Sequence, residues 1–234
     1  MTRRAIVTGA SSGIGRETAL LLAREGIEVV LASRRLNALD ELAKEIGWAG
    51  GAAHVRACDL TNRQSCLDLV DFARGLGPAY PILVNNAGYA EFRPFDQANL
   101  ESIEREIATN LLGPLVLCHT ILPWMLEQGG QIVNVLSLVV NRTLPGTAGY
   151  SVGKTGLWTL GKILAEEFRR QGLRVTNIIP GATDTPLWEV MDFQPERADM
   201  LRATAVAEAI RDVVRMPPDR NVDELQLMPP KGVL

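Results

Sequence analysis

Cysteine is scarce in this chain: Cys58, Cys66 and Cys118 are the only three in 234 residues, and none forms a C-x-x-C pair. A disulfide framework is therefore excluded, and the chain suits a reducing compartment. Only two histidines occur, His54 and His119, far apart in sequence. No set of these five residues has metal-ligand spacing, so no metal is expected and ordinary packing accounts for all of them. Neither sign of charge dominates. Lys plus Arg is 24 and Asp plus Glu is 27, a net charge of −3, so no basic field exists to draw a nucleic-acid backbone or an anionic membrane, and neither is expected as a partner. Long apolar runs are missing as well. The most apolar stretch, 111–126, contains Gly113, Pro114, His119 and Pro123 and falls short of the ~20 uninterrupted residues of a membrane-spanning helix. The apolar run before Gly9 is too short for the core of a secretory signal, so the expected location is cytoplasmic. Repeats, low-complexity tracts, charge blocks and linkers are also lacking.

What is present is a composition 47% hydrophobic and 22% charged, that of a globular chain large enough to bury one core, and a single domain over residues 1–234 is expected. Short β-rich apolar runs alternate with longer helical ones. Residues 3–8, 28–32, 52–57, 82–84, 131–136, 174–179 and 224–228 read as strands; 14–25, 36–46, 62–74, 100–126, 150–171 and 204–215 read as helices. Strands with so few charges are buried on both faces, and their alternation with helices predicts a doubly wound parallel α/β sheet, a Rossmann fold. Ligands of such sheets bind at the carboxyl ends of the strands, so functional residues are sought just after each one. The irregular stretch 181–203 holds Leu187, Trp188, Val190, Met191 and Phe193 beside Pro186 and Pro195. Its length and apolar content predict a substrate lid at about 186–203.

Directly after the first strand comes Thr8-Gly9-Ala10-Ser11-Ser12-Gly13-Ile14-Gly15, where a helix starts. Glycines there let the backbone turn sharply and approach a pyrophosphate, which a helix amino terminus stabilises. The spacing G-x-x-x-G-x-G is neither G-x-G-x-x-G nor the nucleotide-triphosphatase P-loop. Gly153-Lys154-Thr155 imitates the end of a P-loop, but the glycine required upstream is Ala148, which disfavours a triphosphatase. A better role for that lysine follows from Tyr150, four residues earlier on the same helix face. A nearby ammonium favours a phenolate, so the pair can do acid/base work near neutral pH.

In order along the chain stand the glycine turn, Asp59, Asn85-Asn86-Ala87-Gly88, Asn110, Ser137, Tyr150, Lys154 and Pro180-Gly181. This sequence of motifs resembles the short-chain dehydrogenase/reductase family over essentially the whole chain. The resemblance implies a catalytic tetrad at Asn110, Ser137, Tyr150 and Lys154. In it Ser137 would bond the substrate oxygen and Tyr150 would exchange the proton. Lys154 would lower the tyrosine pKa and bind the nicotinamide ribose, and Asn110 would hold a relay water. The cofactor-binding set it implies, beside Tyr150 and Lys154, is Gly9, Ser11, Ser12, Gly13, Ile14, Gly15, Ser33, Arg34, Arg35, Asp59, Leu60, Asn86, Ala87, Gly88, Pro180, Gly181, Thr183 and Thr185. Within that set Asp59 would contact the adenine, Asn86 to Gly88 would flank the adenine ribose, and Ile179 with Thr185 would orient the carboxamide.

Two departures from the family pattern stand out: Leu136 precedes Ser137 where a second serine is common, and the tail Leu225 to Pro230 replaces a glycine-containing close. That tail weakly resembles reductases and dehydrogenases acting on small 3-hydroxy acids and 3-hydroxy amino acids, a hint that the substrate is small. After the second strand, where an NAD enzyme needs a carboxylate for the ribose 2′-hydroxyl, this chain has Ser33 followed by Arg34 and Arg35. A guanidinium suits the 2′-phosphate of NADP (NADPH), with Arg34 first in the loop and therefore the expected reader. The expected activity is an NADP-dependent interconversion of an alcohol and a carbonyl on a small or medium substrate. The alternative is a non-catalytic NADP-binding sensor or regulator, whose expected mark would be a broken tetrad. The resemblance also implies a homotetramer or homodimer, paired through the long helices 100–126 and 150–171.

Overall fold

The computed structural model describes residues 2–190 and 196–232. Seven strands form one parallel sheet: β1 (Arg3–Thr8), β2 (Glu28–Ser33), β3 (Ala53–Ala57), β4 (Tyr80–Asn85), β5 (Gly130–Val135), β6 (Leu173–Pro180) and, at the far edge, β9 (Glu224–Leu227). Their order is β3-β2-β1-β4-β5-β6-β9, and every neighbouring pair is parallel. Between them run α1 (Gly13–Arg24), α2 (Leu36–Trp48), α3 (Arg63–Gly75), α4 (Leu100–Ile107), α5 (Gly113–Gln128), α6 (Ala148–Phe168) and α7 (Ala203–Arg215). The chain moves outward from β1 in one direction to β3, then returns to place β4 on the other side of β1. The crevice between the two halves opens at that reversal.

Alternation along the strands sorts the core onto two faces. Val7, Val29, Leu31, Ile82 and Val84 pack toward one face with Leu22, Leu39 and Ile210 from α1, α2 and α7. Ile6, Val30, Leu83, Ile132 and Val175 pack toward the other with Leu69, Leu117, Ile121 and Leu164 from α3, α5 and α6. Three of the strands also carry a polar rung. Asn85, Asn134 and Asn177 are register partners across β4, β5 and β6. Asn85 Nδ2 donates to Asn134 Oδ1 (2.9 Å), and Asn134 Nδ2 donates to Asn177 Oδ1 (3.0 Å).

The expected helix 100–126 is helical throughout, but it is not regular. A π-turn, Ala108–Leu112, joins α4 to α5 and places Asn110 in its middle, fully buried. Pro114 falls in the first turn of α5, where its missing N–H costs little. Gly113, Pro114, His119 and Pro123 thus do not break the run, and Leu100–Gln128 is long and apolar enough to cross a membrane by length and composition. In the fold its apolar residues Leu117, Cys118, Ile121, Trp124 and Met125 are core residues of the second face.

The irregular stretch after β6 is tied at its base by two short strands that periodicity is too weak to reveal, β7 (Thr183–Asp184) and β8 (Leu201–Arg202), paired in parallel. Arg197 bridges to Asp184 at 2.5 Å, and Trp188 Nε1 donates to the Thr183 carbonyl (2.9 Å). Of the residues expected to form a lid, Met191 and Phe193 lie outside the described residues.

Replacing Asn134 by Ala removes the middle of the amide rung and leaves a buried donor and a buried acceptor without their partner. A loss of about 2–6 kcal/mol in urea unfolding is expected, the cost of orphaning two buried polar groups. A loss below that range would show that the rung contributes little.

Candidate active site

The carboxyl ends of β1, β2, β4 and β5 open onto a cleft of about 540 Å³. Its floor is the turn from β1 into α1. Gly9 there has φ +66°, and a Cβ on it would stand 2.8 Å from the Ala87 backbone; one on Gly15 would collide with the Asn86 amide and the Gly9 carbonyl. Only glycine permits this approach of the turn to the segment after β4. Thr8, in the same motif but not among the expected site residues, fastens the two. Its hydroxyl donates to the Val84 carbonyl (3.2 Å) and accepts from the N–H groups of Asn86 (3.0 Å) and Ala87 (3.1 Å), while Asn86 Nδ2 donates to the Thr8 carbonyl (2.8 Å). Ser12, the residue before α1, offers no side-chain cap, and the first turn carries no acid. The N–H groups of that turn, with the positive end of the helix dipole, suit an anion.

Gly9, Ser11, Ser12, Gly13, Ile14, Ser33, Arg34, Arg35, Asp59, Leu60, Asn86, Ala87, Gly88, Tyr150, Lys154 and Thr185 all line the cleft. Gly15 sits beneath the floor. Pro180, Gly181 and Thr183 are not on the wall: Gly181 donates to the Leu227 carbonyl (2.8 Å) and Thr183 donates to the Gly181 carbonyl (3.0 Å), so these residues shape the end of β6. Ile179 is likewise buried, against Leu136 and Leu157. Tyr89, Arg105, Thr109, Leu136 and Glu189 line the cleft without having been expected there.

At the β2 end the two arginines differ. Arg35 lies across the glycine turn, bonded to Ser11 Oγ (3.0 Å) and Ser12 Oγ (2.7 Å), while its own N–H donates to Ser33 Oγ (3.0 Å). The Asp59 carboxyl is held below its usual range: burial opposes ionisation but is outweighed by the Thr61 N–H and hydroxyl and by the charges of Arg34 and Arg105. Order in the loop therefore does not single out Arg34, because Arg35 is the guanidinium fixed over the turn.

Tyr150 and Lys154 come from the first two turns of α6, Ser137 from the end of β5, and Asn110 from the π-turn. Tyr150 and Lys154 are both buried. Burial pushes the Tyr150 phenol up to about 12, against a hydrogen bond with Ser137 that lowers it, and the Glu106 charge adds to the rise. Burial alone pulls the Lys154 ammonium down to about 8. Lys154 Nζ donates to the Val135 carbonyl (2.8 Å) and stands 5.8 Å from the centre of the Tyr150 ring. In this arrangement burial is the largest influence on the phenol. Asn110 Nδ2 donates to the carbonyls of Tyr89 (2.6 Å) and Glu106 (2.9 Å), and its Oδ1 accepts from Tyr89 N–H (3.3 Å). Beyond Tyr150 an apolar shelf is built by Phe92, edge-on to the Tyr150 ring at 5.9 Å and to Trp188 at 6.2 Å, with Val139, Leu144 and Leu187 beside them.

A parallel sheet with a glycine turn beneath a cleft at its point of reversal defines a nucleotide-binding α/β protein. This chain belongs to the short-chain dehydrogenase family, whose model matches residues 3–195, and it is an oxidoreductase of that family. An uncharacterized oxidoreductase of Staphylococcus haemolyticus is 34% identical over 228 residues, 97% of each chain. An alcohol dehydrogenase from the archaeon Thermococcus sibiricus, solved with 5-hydroxy-NADP, superposes with a TM-score of 0.89 at 28% identity, covering 97% of this chain and 96% of the other. A 7α-hydroxysteroid dehydrogenase solved with NADH and 7-oxo-glycochenodeoxycholic acid does so with 0.89 at 27% identity, covering 99% and 94%.

Burial of Lys154 gives a stability signature. Between about 8 and its ordinary 10.5 the unfolded chain keeps a proton that the folded chain has released, so stability rises with pH in that window. Tyr150 acts oppositely, but only between its ordinary 10 and about 12. Unfolding measured from pH 8 to 10 is expected to show a gain in wild type that is missing in Lys154→Met. Equal slopes would mean that the ammonium is not desolvated.

Proposed function

We propose that the protein is an NADP-dependent dehydrogenase/reductase that interconverts an alcohol and a carbonyl, with Tyr150 as general acid and base. The observation that carries the reading is the convergence at one cleft wall of the buried Tyr150 and, one turn on, the buried Lys154, whose Nζ stands 5.8 Å from the Tyr150 ring centre. The chain's own features fit a dinucleotide. Gly9 lets the turn lie close against Ala87 and Asn86, the first turn of α1 leaves its N–H groups for a pyrophosphate, and the β2 end offers Ser33, Arg34 and Arg35 but no carboxylate. The cofactor, when bound, supplies or accepts the hydride. Ser137 and Tyr150 would hold the substrate oxygen, and Tyr150 would give it a proton in reduction or take one in oxidation. Lys154 would exchange its bond to Val135 for the ribose hydroxyls, and Asn110 would steady the segment around Tyr89.

Preference for NADP over NAD rests on Arg35 with Arg34, since a 2′-phosphate accepts charge-assisted bonds from guanidinium that a free hydroxyl does not reward as well. On the substrate side, Phe92, Leu144, Leu187 and Trp188 favour a neutral, apolar carbonyl compound over the small hydroxy acid hinted at by the tail. The lid at 186–203 is retained for its described part, where Leu187 and Trp188 pack on that shelf. Pairing of subunits is assigned to the α5 and α6 faces, where Leu112, Leu115, Val152 and Ile163 stand exposed. Three thiols, none in a disulfide, agree with a cytoplasmic location.

Purified protein mixed with NADPH and a panel of carbonyls is expected to consume reduced nicotinamide, fastest with apolar ketones. Tyr150→Phe should lower turnover by about 10²–10⁴-fold while NADPH still binds. Turnover near wild type in that variant would sink the mechanism.

Arg35→Ala should weaken NADPH by about 1.5–3 kcal/mol, the range for hydrogen bonds to charged groups, and leave NADH unchanged. Arg34→Ala is expected to have the same sign. Equal weakening of both cofactors, or a wild type that prefers NADH, would overturn the assignment.

A further inference from the structure

The helix that carries Tyr150 and Lys154 has no amino-terminal cap of its own. Thr147, the residue before α6, makes no capping bond; its hydroxyl donates to the Leu144 carbonyl (2.7 Å) and pairs with Ser151 Oγ (2.7 Å), and the first turn contains no acid. The vacancy is filled from another helix. Glu106, near the end of α4, is 2% exposed; its carboxyl accepts the backbone N–H of Glu91 (2.7 Å) and lies against the first turn of α6, where the Tyr150 N–H helps lower its pKa. Gly149 makes room for it, since a Cβ there would collide with Glu106 Oε2. The same residue's carbonyl accepts from Asn110 Nδ2 (2.9 Å), whose amide also holds Tyr89.

We propose that Glu106 is a positioning residue, a carboxylate set from outside against the first turn of the Tyr150 helix that locks the Tyr89–Glu91 segment, the Asn110 turn and Tyr150 into one arrangement. The inference rests on Tyr150 being the acid/base group. Among the described residues no cation pairs with Glu106; the neighbouring Arg105 lies 4.4 Å over the Tyr89 ring instead. The Glu91 N–H and the positive end of α6 take the place of a counter-ion. The titratable groups facing it are Glu91 from the loop after β4 and Tyr150 from α6. Burial raises the Glu106 carboxyl, the Glu91 N–H lowers it, the Glu91 charge raises it, and the Tyr150 N–H lowers it again. Facing Tyr150 are Glu106, Ser137 and Lys154. A negative charge at Glu106 opposes the phenolate, so it keeps Tyr150 protonated, the form that donates to a nascent alkoxide.

Glu106→Gln keeps an acceptor oxygen and removes the charge. Ultraviolet difference titration, with the Tyr150 signal identified as the one lost in Tyr150→Phe, is expected to show the phenol ionising about one pH unit lower in Glu106→Gln than in wild type. The kcat limb for the same group should move with it while KM holds. An unmoved phenol titration, or a drop in kcat with an unshifted pH profile, would reduce Glu106 to a packing residue and overturn the proposal. Should Glu106→Gln not fold, Gly149→Ala decides in its place: its Cβ pushes the carboxylate away from the first turn of α6 without changing any charge, and the same downward shift is expected. Wild type that turns over no carbonyl would defeat the enzymatic reading, whereas the titration still decides whether Glu106 controls Tyr150.

Discussion

The amide rung Asn85–Asn134–Asn177 is the constraint on which the rest of the molecule depends. Apolar parallel strands bury both faces, so a slip by two residues along β4, β5 or β6 would still place apolar side chains in apolar surroundings. The rung removes that freedom. The Asn134 amide reaches both Asn85 and Asn177 only in the observed register, and any other leaves these donors and acceptors dry and unpaired, at a cost of several kcal/mol. Asn86 and Ser137 follow the rung by one and three residues, and Gly181 by four. Fixing three buried side chains therefore fixes where the segments after β4, β5 and β6 leave the sheet.

From that edge the cleft is assembled by close approach rather than by strong bonds. Gly9 and Gly15 let the β1 turn rest against Asn86 and Ala87, and Thr8 ties the two with bonds of ordinary length. The outcome is a floor of backbone N–H groups facing a rim of guanidinium, while the opposite wall holds two buried groups that are costly to charge. Desolvation sets both Tyr150 and Lys154, and it acts on them in opposite senses: the phenol rises and the ammonium falls. With the phenol near 12 and the ammonium near 8, the proton stays on oxygen, and the ground state is a protonated tyrosine beside a weakened cation.

Much of this was legible in the sequence because it depends on local periodicity or spacing. Runs such as Ala5-Ile6-Val7 and Val29-Val30-Leu31 can only be strands buried on both faces, and glycines at 9, 13 and 15 directly after such a run can only be a turn into a helix. Tyr150 and Lys154 share a face because they are four residues apart. Features that depend on three-dimensional reach were not legible. Which arginine covers the turn is decided by the serine hydroxyls of Ser11 and Ser12, more than 20 residues upstream. The π-turn at Asn110 leaves no mark in composition. Pairing of Thr183 with Leu201 is too short to have a period, and the carbonyl that takes the Lys154 ammonium belongs to Val135, a residue whose side chain says nothing of it.

Glu106 shows most sharply why a motif is not the whole of a site. A charged residue on a helix is read from sequence as part of a solvated face, and α4, with Glu101, Glu104 and Arg105 around it, gives every reason for that reading. What overrules it is an unmet demand elsewhere. The first turn of α6 has backbone donors to satisfy, Thr147 has spent its hydroxyl on Leu144, and Gly149 leaves the space of a missing side chain. A carboxylate brought in from α4 lies against that turn, and its position ties the geometry of the helix to its electrostatics: the group packed beside Gly149 is also a negative charge that raises the Tyr150 phenol. The two effects are inseparable in the folded chain, because one carboxylate supplies both.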